Sequence, residues 1–257
     1  MKGKPVTLAK LFGRYGGLLV ALQLAVTGCS SETPAPPVET RPRAEAPADP
    51  APASANEKLV LAFGDSLYAG YGLAPAESFP AVLDRELAAQ GLVVDMVNAG
   101  VSGDTTAAGL ARLDFTLDGL KRTPDLAIVG FGGNDVLRGL DPAETRANLE
   151  AIVRTLDRRG IPVLLTGMVA PRNLGRDYVG RFDSIYPELA RRYGAALDPF
   201  FLDGVITDPR LLLGDGIHPN AAGVRIMARR LAPLVAKALA PPSQRRAESE
   251  PPGPAPG

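Results

Sequence analysis

His218 is the only histidine in 257 residues, so any serine of this chain that an imidazole activates is activated by this one. It stands in the stretch Gly214-Asp215-Gly216-Ile217-His218-Pro219-Asn220. Asp215 lies three residues earlier, and a turn through Gly216 lets its carboxylate reach the near ring nitrogen while the far one stays free. An orienter and a base thus share one turn. Pro219 keeps His218 extended. Pro219-Asn220 then opens a predicted helix whose apolar residues Val224, Met227, Leu231, Leu234 and Ala238 recur at spacings of three and four, which sets the ring on a rigid edge.

The elements that must position this ring are short apolar runs alternating with helical patterns, between about Glu57 and Ala240. The runs 59–63, 93–97, 126–131, 162–166 and 196–201 read as strands. Between them lie helical patterns through Phe79, Val82, Leu83 and Leu87, through Leu110, Leu113, Leu117 and Leu120, and through Phe182, Ile185, Tyr186 and Leu189. A further helix opens with Asp141 as N-cap, Pro142 at its first position and Glu144 in capping-box register, and stops at Gly160. Five strand-helix units with continuously apolar strands predict an α/β fold, its parallel sheet covered on both faces.

In such sheets ligands bind beyond the carboxyl ends of the strands. There the chain places Gly64-Asp65-Ser66, then Asn98-Ala99-Gly100-Val101-Ser102-Gly103-Asp104, then Gly132-Gly133-Asn134-Asp135. Each alone is ordinary turn composition, and Asp65 alone suits a helix cap. Converging on one sheet edge with the lone histidine, they compose a site. Ser66 is the candidate nucleophile, His218 the general base and then acid, and Asp215 the orienter. The backbone N–H groups of Ser66 and Gly103 and the amide of Asn134 are candidates for an oxyanion hole. A lipase elbow Gly-x-Ser-x-Gly is absent, because Tyr68 stands where its second glycine would fall.

In these residues the domain resembles the SGNH, or GDSL, hydrolases. Gly64-Asp65-Ser66-Leu67, Gly103, Gly132-Gly133-Asn134-Asp135 and Asp215-Gly216-Ile217-His218-Pro219 match its four blocks in order. The thioesterase I/lysophospholipase L1 and arylesterase group is most similar, through Gly103-Asp104-Thr105-Thr106 with Gly109-Leu110-Ala111-Arg112-Leu113, and through Gly133-Asn134-Asp135 with Leu137-Arg138-Gly139. The resemblance implies a flavodoxin-like three-layer α/β/α sandwich with a five-stranded parallel sheet. It also implies hydrolysis of acyl esters or thioesters through an acyl-serine, without metal or cofactor, and a loop from Met168 to Tyr178 bordering the acyl group. Arg172 and Arg176 in that loop read either as a solvated face, which is favoured, or as partners of phosphate or carboxylate head groups.

The N-terminus reads as an export signal. Lys2, Lys4, Lys10 and Arg14 precede an apolar run over 18–26 that is too short to span a bilayer. The run ends in Val26-Thr27-Gly28-Cys29, which resembles a bacterial lipobox. That implies cleavage before Cys29 and its lipidation, each buried methylene holding the chain to a membrane by about 0.8 kcal/mol. Cys29 is the only cysteine, which excludes an internal disulfide and a multi-cysteine metal site. Ser30 resembles the outer-membrane sorting pattern. Residues 29–56, rich in Pro and Ala, read as a disordered tether and 241–257 as a disordered tail.

With 28 basic and 28 acidic residues and no basic block in the folded part, nothing points to nucleic acid. The expected protein is therefore a lipoprotein of the cell envelope with a signal peptide over 1–28 and a hydrolase domain over 57–240. It is expected to be a periplasm-facing monomer, acting on small or lysolipid-like acyl esters. An O-acetylesterase of envelope carbohydrate is the alternative enzyme, and a catalytically silent binding module the alternative without chemistry.

Overall fold

The computed structural model describes residues 57–240. The expected signal segment, the tether with Cys29 and the tail from 241 lie outside the described residues. Strands β1 (Lys58–Gly64), β2 (Val94–Gly100), β3 (Leu126–Gly130), β4 (Val163–Thr166) and β5 (Ala196–Asp198) pair in parallel in the order β2-β1-β3-β4-β5. Successive strand residues point to opposite faces, so a sheet covered on both sides needs apolar residues at every position. Val60, Ala62, Ile128 and Leu164 pack on one face under α2 (Phe79–Ala89) and α8 (Ala221–Leu239). Leu61, Phe63, Val129 and Leu165 pack on the other under α3 (Thr106–Asp118), α5 (Pro142–Arg158) and α7 (Ile185–Tyr193). The result is the expected three-layer α/β/α sandwich.

β2 is added on one side of β1 and β3 to β5 on the other, so the winding switches between β1 and β3, where the loops diverge and leave a crevice. Ser66 leaves β1 and Asn134 leaves β3, so both stand on that crevice.

Several elements differ from their sequence pattern for local reasons. β2 runs on to Gly100 because Asn98, Ala99 and Gly100 pair with Ala62, Phe63 and Gly64. β5 stops at Asp198, since Pro199 has no N–H for the ladder. The single pattern through Phe182 and Leu189 is two helices, α6 (Arg176–Asp183) and α7; the ring of Pro187 crowds the carbonyl four residues back, at Asp183. Two short helices, α1 (Ser66–Ala69) and α4 (Gly133–Leu137), are too brief to show a helical period.

β1, β2 and β3 end in three glycines aligned across the sheet, with Gly64 opposite both Gly100 and Gly130. A Cβ on Gly64 or Gly130 would overlap the Tyr68 ring, and one on Gly100 the backbone of Tyr68 and Ala69. Tyr68 therefore lies flat in the space three side chains have vacated, fully buried, its hydroxyl 2.8 Å from Thr166 Oγ1. Its ring meets Phe79 and Phe201 at centroid distances of 5.3 and 5.4 Å. Gly130→Ala is expected to destabilise the domain by about 1–3 kcal/mol in urea unfolding, the usual range for overpacking a core. An unchanged midpoint would mean that the slot has room to spare.

Candidate active site

Ser66 is the first residue of α1, and Asp65 caps that helix by accepting the Leu67 N–H at 3.0 Å. The helix continues through Tyr68 into its glycine slot, so the serine hydroxyl is aimed by a packed aromatic two residues away. His218 Nε2 lies 2.9 Å from Ser66 Oγ, and Nδ1 lies 2.6 Å from Asp215 Oδ2. The other Asp215 oxygen accepts the N–H groups of Ile217 and His218 at 2.9 and 3.0 Å. These backbone donors, His218 N–H first, together with the imidazole hold the Asp215 carboxyl down to about 2. It is an anion wherever an imidazole can act as base.

The histidine loop is held by its own backbone. Leu213 N–H donates to the His218 carbonyl at 2.7 Å, and Asn220 N–H to the Leu211 carbonyl at 2.8 Å. Asn220 caps α8 through the N–H groups of Ala222 and Gly223, while its amide donates to the Arg210 and Leu212 carbonyls. One asparagine thus ties the loop to the helix that anchors it.

Asn134, in the first turn of α4, donates one amide hydrogen to the Asp104 carbonyl at 2.9 Å and turns toward the cleft with Ser66 and His218. Gly103 is placed differently. It stands exposed at the lip, outside the cleft lining, with φ +87°, and reaches the site through its neighbour Asp104. Arg138 Nη2 donates to the Gly103 carbonyl at 2.8 Å, while Asp104 N–H donates to Val101 at 3.2 Å, so the 103–104 peptide is pinned at both ends. Arg112 joins the Asp104 loop to the end of β1. Its Nε donates to the Asp104 carboxylate at 2.6 Å and its Nη2 to the Gly64 carbonyl at 3.0 Å, with the guanidinium 4.3 Å over the Phe63 ring.

The cleft beside Ser66 is of about 210 Å³ and mainly apolar, with Leu67, Val136, Leu137, Met168, Val169 and Leu202 among its walls. A hydroxyl in line with an imidazole and an ionised carboxylate, beside amide donors and an apolar wall, can open an acyl ester.

The family model described as GDSL-like Lipase/Acylhydrolase matches residues 62–226, from within β1 to within α8. The chain belongs to that family. The acylhydrolase is 41% identical over 170 residues to an arylesterase of Vibrio mimicus, covering 66% of this chain and 84% of that one. It is 38% identical over 187 residues to the thioesterase 1/protease 1/lysophospholipase L1 of Escherichia coli strain K12, covering 71% of this chain and 86% of that one. The crystal structure of AlinE4, an SGNH-hydrolase family esterase, superimposes with a TM-score of 0.61 at 54% identity, covering 72% of this chain and 98% of that one.

Three residues of the acylhydrolase site had no role assigned from sequence. Arg112 and Arg138 stood there only as letters of a resemblance, and Tyr71 was silent. Its half-exposed ring stacks on His218 with centroids 4.4 Å apart and planes tilted by 34°. No periodicity marks an aromatic that lies on a partner 147 residues away, 218 − 71.

Asp65 differs from Asp215 in its surroundings. Burial pushes its carboxyl up to about 7; the Leu67 N–H opposes this, and the charges of Asp135 and Asp104 add to it. A carboxyl raised by folding contributes stability that is fully present below its ordinary value of 3.8 and lost as pH rises through about 7. Asp65→Asn keeps an N-cap oxygen and removes the ionisation. The variant is expected to match the wild type near pH 4 and to exceed it at pH 8 by on the order of 4 kcal/mol at most. A stability difference that stays flat across that range would mean that Asp65 does not titrate there.

Proposed function

We propose that this acylhydrolase is a serine esterase acting on amphiphilic acyl esters of the lysolipid or aryl type, and on acyl thioesters. Ser66 Oγ attacks the acyl carbonyl while His218 Nε2 takes its proton, and Asp215 holds the imidazole by Nδ1 and stabilises the imidazolium. The oxyanion is received by the N–H groups of Ser66 and Gly103 and by the free amide hydrogen of Asn134, beside the 103–104 peptide that Arg138 holds directly and Arg112 through the Asp104 carboxylate. His218 then gives its proton to the leaving alcohol or thiol. A water deprotonated by the same nitrogen opens the acyl-serine and restores the serine.

The observation that carries this reading is the hydrogen-bonded line Asp215–His218–Ser66 ending in an apolar cleft. Apolar walls gain about 0.8 kcal/mol for each methylene they bury, which favours acyl chains longer than acetyl. Relatives named arylesterase and lysophospholipase L1 support the same substrate class.

Wild type is expected to hydrolyse nitrophenyl esters with a rate rising from acetate to medium chains and to be labelled by a fluorophosphonate. Ser66→Ala is expected to lose both, by at least about 1,000-fold in kcat. A steady preference for acetate would instead select the carbohydrate O-acetylesterase, and a folded wild type without either activity the silent binding module.

The same reading places the enzyme in the cell envelope, held by a lipid on Cys29 and facing the periplasm from the outer membrane. The lipobox-like Val26-Thr27-Gly28-Cys29 is its support. Cys29→Ala is expected to move the protein from the membrane to the soluble fraction, and a variant that still sediments fully with membranes would end the anchor proposal.

A further inference from the structure

Nine large hydrophobic residues are exposed among the described residues, and they are not scattered evenly. Leu137, Val169 and Ile217, exposed by 62%, 44% and 40%, line the mouth of the cleft, and Tyr71, exposed by 51%, covers the His218 ring. They come from four separate places: the exit of α1, the end of α4, the loop after β4 and the loop before α8. Single exposed apolar residues need no explanation, whereas four brought by folding to the lip of one apolar cleft mark a contact surface.

Charge on this lip says what it contacts. Arg172 follows Val169 and Pro171 in the same loop and Arg176 opens α6; both are exposed, and their side chains form no ion pair or hydrogen bond among the described residues. Arg138, next to Leu137, spends its guanidinium on a neutral carbonyl. Of the nearby carboxylates, Asp104 is paired with Arg112, Asp177 and Asp141 share Arg181, Asp215 faces the His218 imidazole and Asp183 accepts the Ala170 N–H. Arg172 and Arg176 are thus cations without an ionic partner beside the apolar residues of the lip, the combination that suits an anionic lipid surface. For Arg172 and Arg176 this favours the head-group alternative over the solvated face.

We propose that the rim formed by Tyr71, Leu137, Val169 and Ile217, flanked by Arg172 and Arg176, docks on anionic lipid. The acyl chain of an ester substrate then passes from lipid into the cleft without crossing water. This rests on the amphiphilic-ester reading above and adds to it a surface from which the substrate is drawn.

The chain has no tryptophan, so a single introduced one reports only its own position. Leu137→Trp places it on the rim, and Phe115→Trp on α3, where Phe115 is 85% exposed and lines no part of the cleft. In the full chain carrying Cys29→Ala, so that the rim alone governs binding, Leu137→Trp with phosphatidylglycerol-containing vesicles is expected to shift its emission to the blue and to be quenched by brominated lipid, while Phe115→Trp does neither. Adding Arg172→Gln and Arg176→Gln to Leu137→Trp is expected to weaken vesicle binding by roughly 30-fold. Equal responses from both probes, no response from Leu137→Trp, or the same shift with purely zwitterionic vesicles would each overturn the proposal. Hydrolysis of a medium-chain soluble ester and of monomeric lysolipid by wild type is measured alongside. If those proceed while the rim probe stays silent, the docking surface is lost and the esterase reading stands; if they fail, that reading is lost independently of the vesicle result.

Discussion

Tyr68 on its three glycines is the contact from which the site is built. Removing a Cβ from the ends of β1, β2 and β3 leaves a flat shelf one ring thick, and the ring that fills it belongs to the residue two after Ser66. A serine at a helix start would otherwise move with its loop. Here its helix is bolted through an aromatic that is fully buried, hydrogen-bonded to Thr166 and packed by Phe79 and Phe201. The lipase elbow uses small residues around the nucleophile to make its sharp turn. This chain moves the small residues onto neighbouring strands and places the large one beside the nucleophile.

Two carboxyl groups near Ser66 show how local solvation separates like residues. Asp215 is partly exposed and receives three hydrogen bonds, so it remains charged and can orient an imidazole. Asp65 is buried near Asp104 and Asp135, and its charge is disfavoured there. A neutral Asp65 still caps α1 through an oxygen while adding little negative potential next to a serine whose reaction develops negative charge. Asp135 is kept off the cleft by other means, accepting the Thr106 N–H and hydroxyl at 2.9 and 2.5 Å and the Thr145 hydroxyl at 3.2 Å.

Arg112 and Arg138 do for the oxyanion side what Tyr68 does for the nucleophile. The loop from Val101 to Asp104 is exposed for most of its length and would be mobile if only its own backbone held it. One guanidinium joins its carboxylate to the end of β1 and the other holds its glycine carbonyl, so the loop is positioned by charge-assisted bonds rather than by burial, and Asn134 is held to it through the Asp104 carbonyl. Sequence reasoning named Gly103 and Asn134 and passed over both arginines, because a guanidinium that serves a backbone carbonyl leaves no spacing pattern.

The sequence by itself determined what depends on periodicity and on rare residue types. Continuous apolar runs with alternating helices specified a parallel sheet covered on both faces, and a single histidine three residues after an aspartate specified which base was available. It also marked Asp141, Pro142 and Asn220 at helix starts, since caps act within one turn. Its boundaries failed where a neighbouring strand or ring decides, as in the extension of β2 along β1 and the break that Pro187 sets between α6 and α7. Only the tertiary structure decided that Gly64, Gly100 and Gly130 form one shelf, that Tyr71 lies on His218, and that apolar residues from four separate places in the chain gather around one cleft. Those relations join residues far apart in the chain, and their energy arises only when folding brings the surfaces into contact.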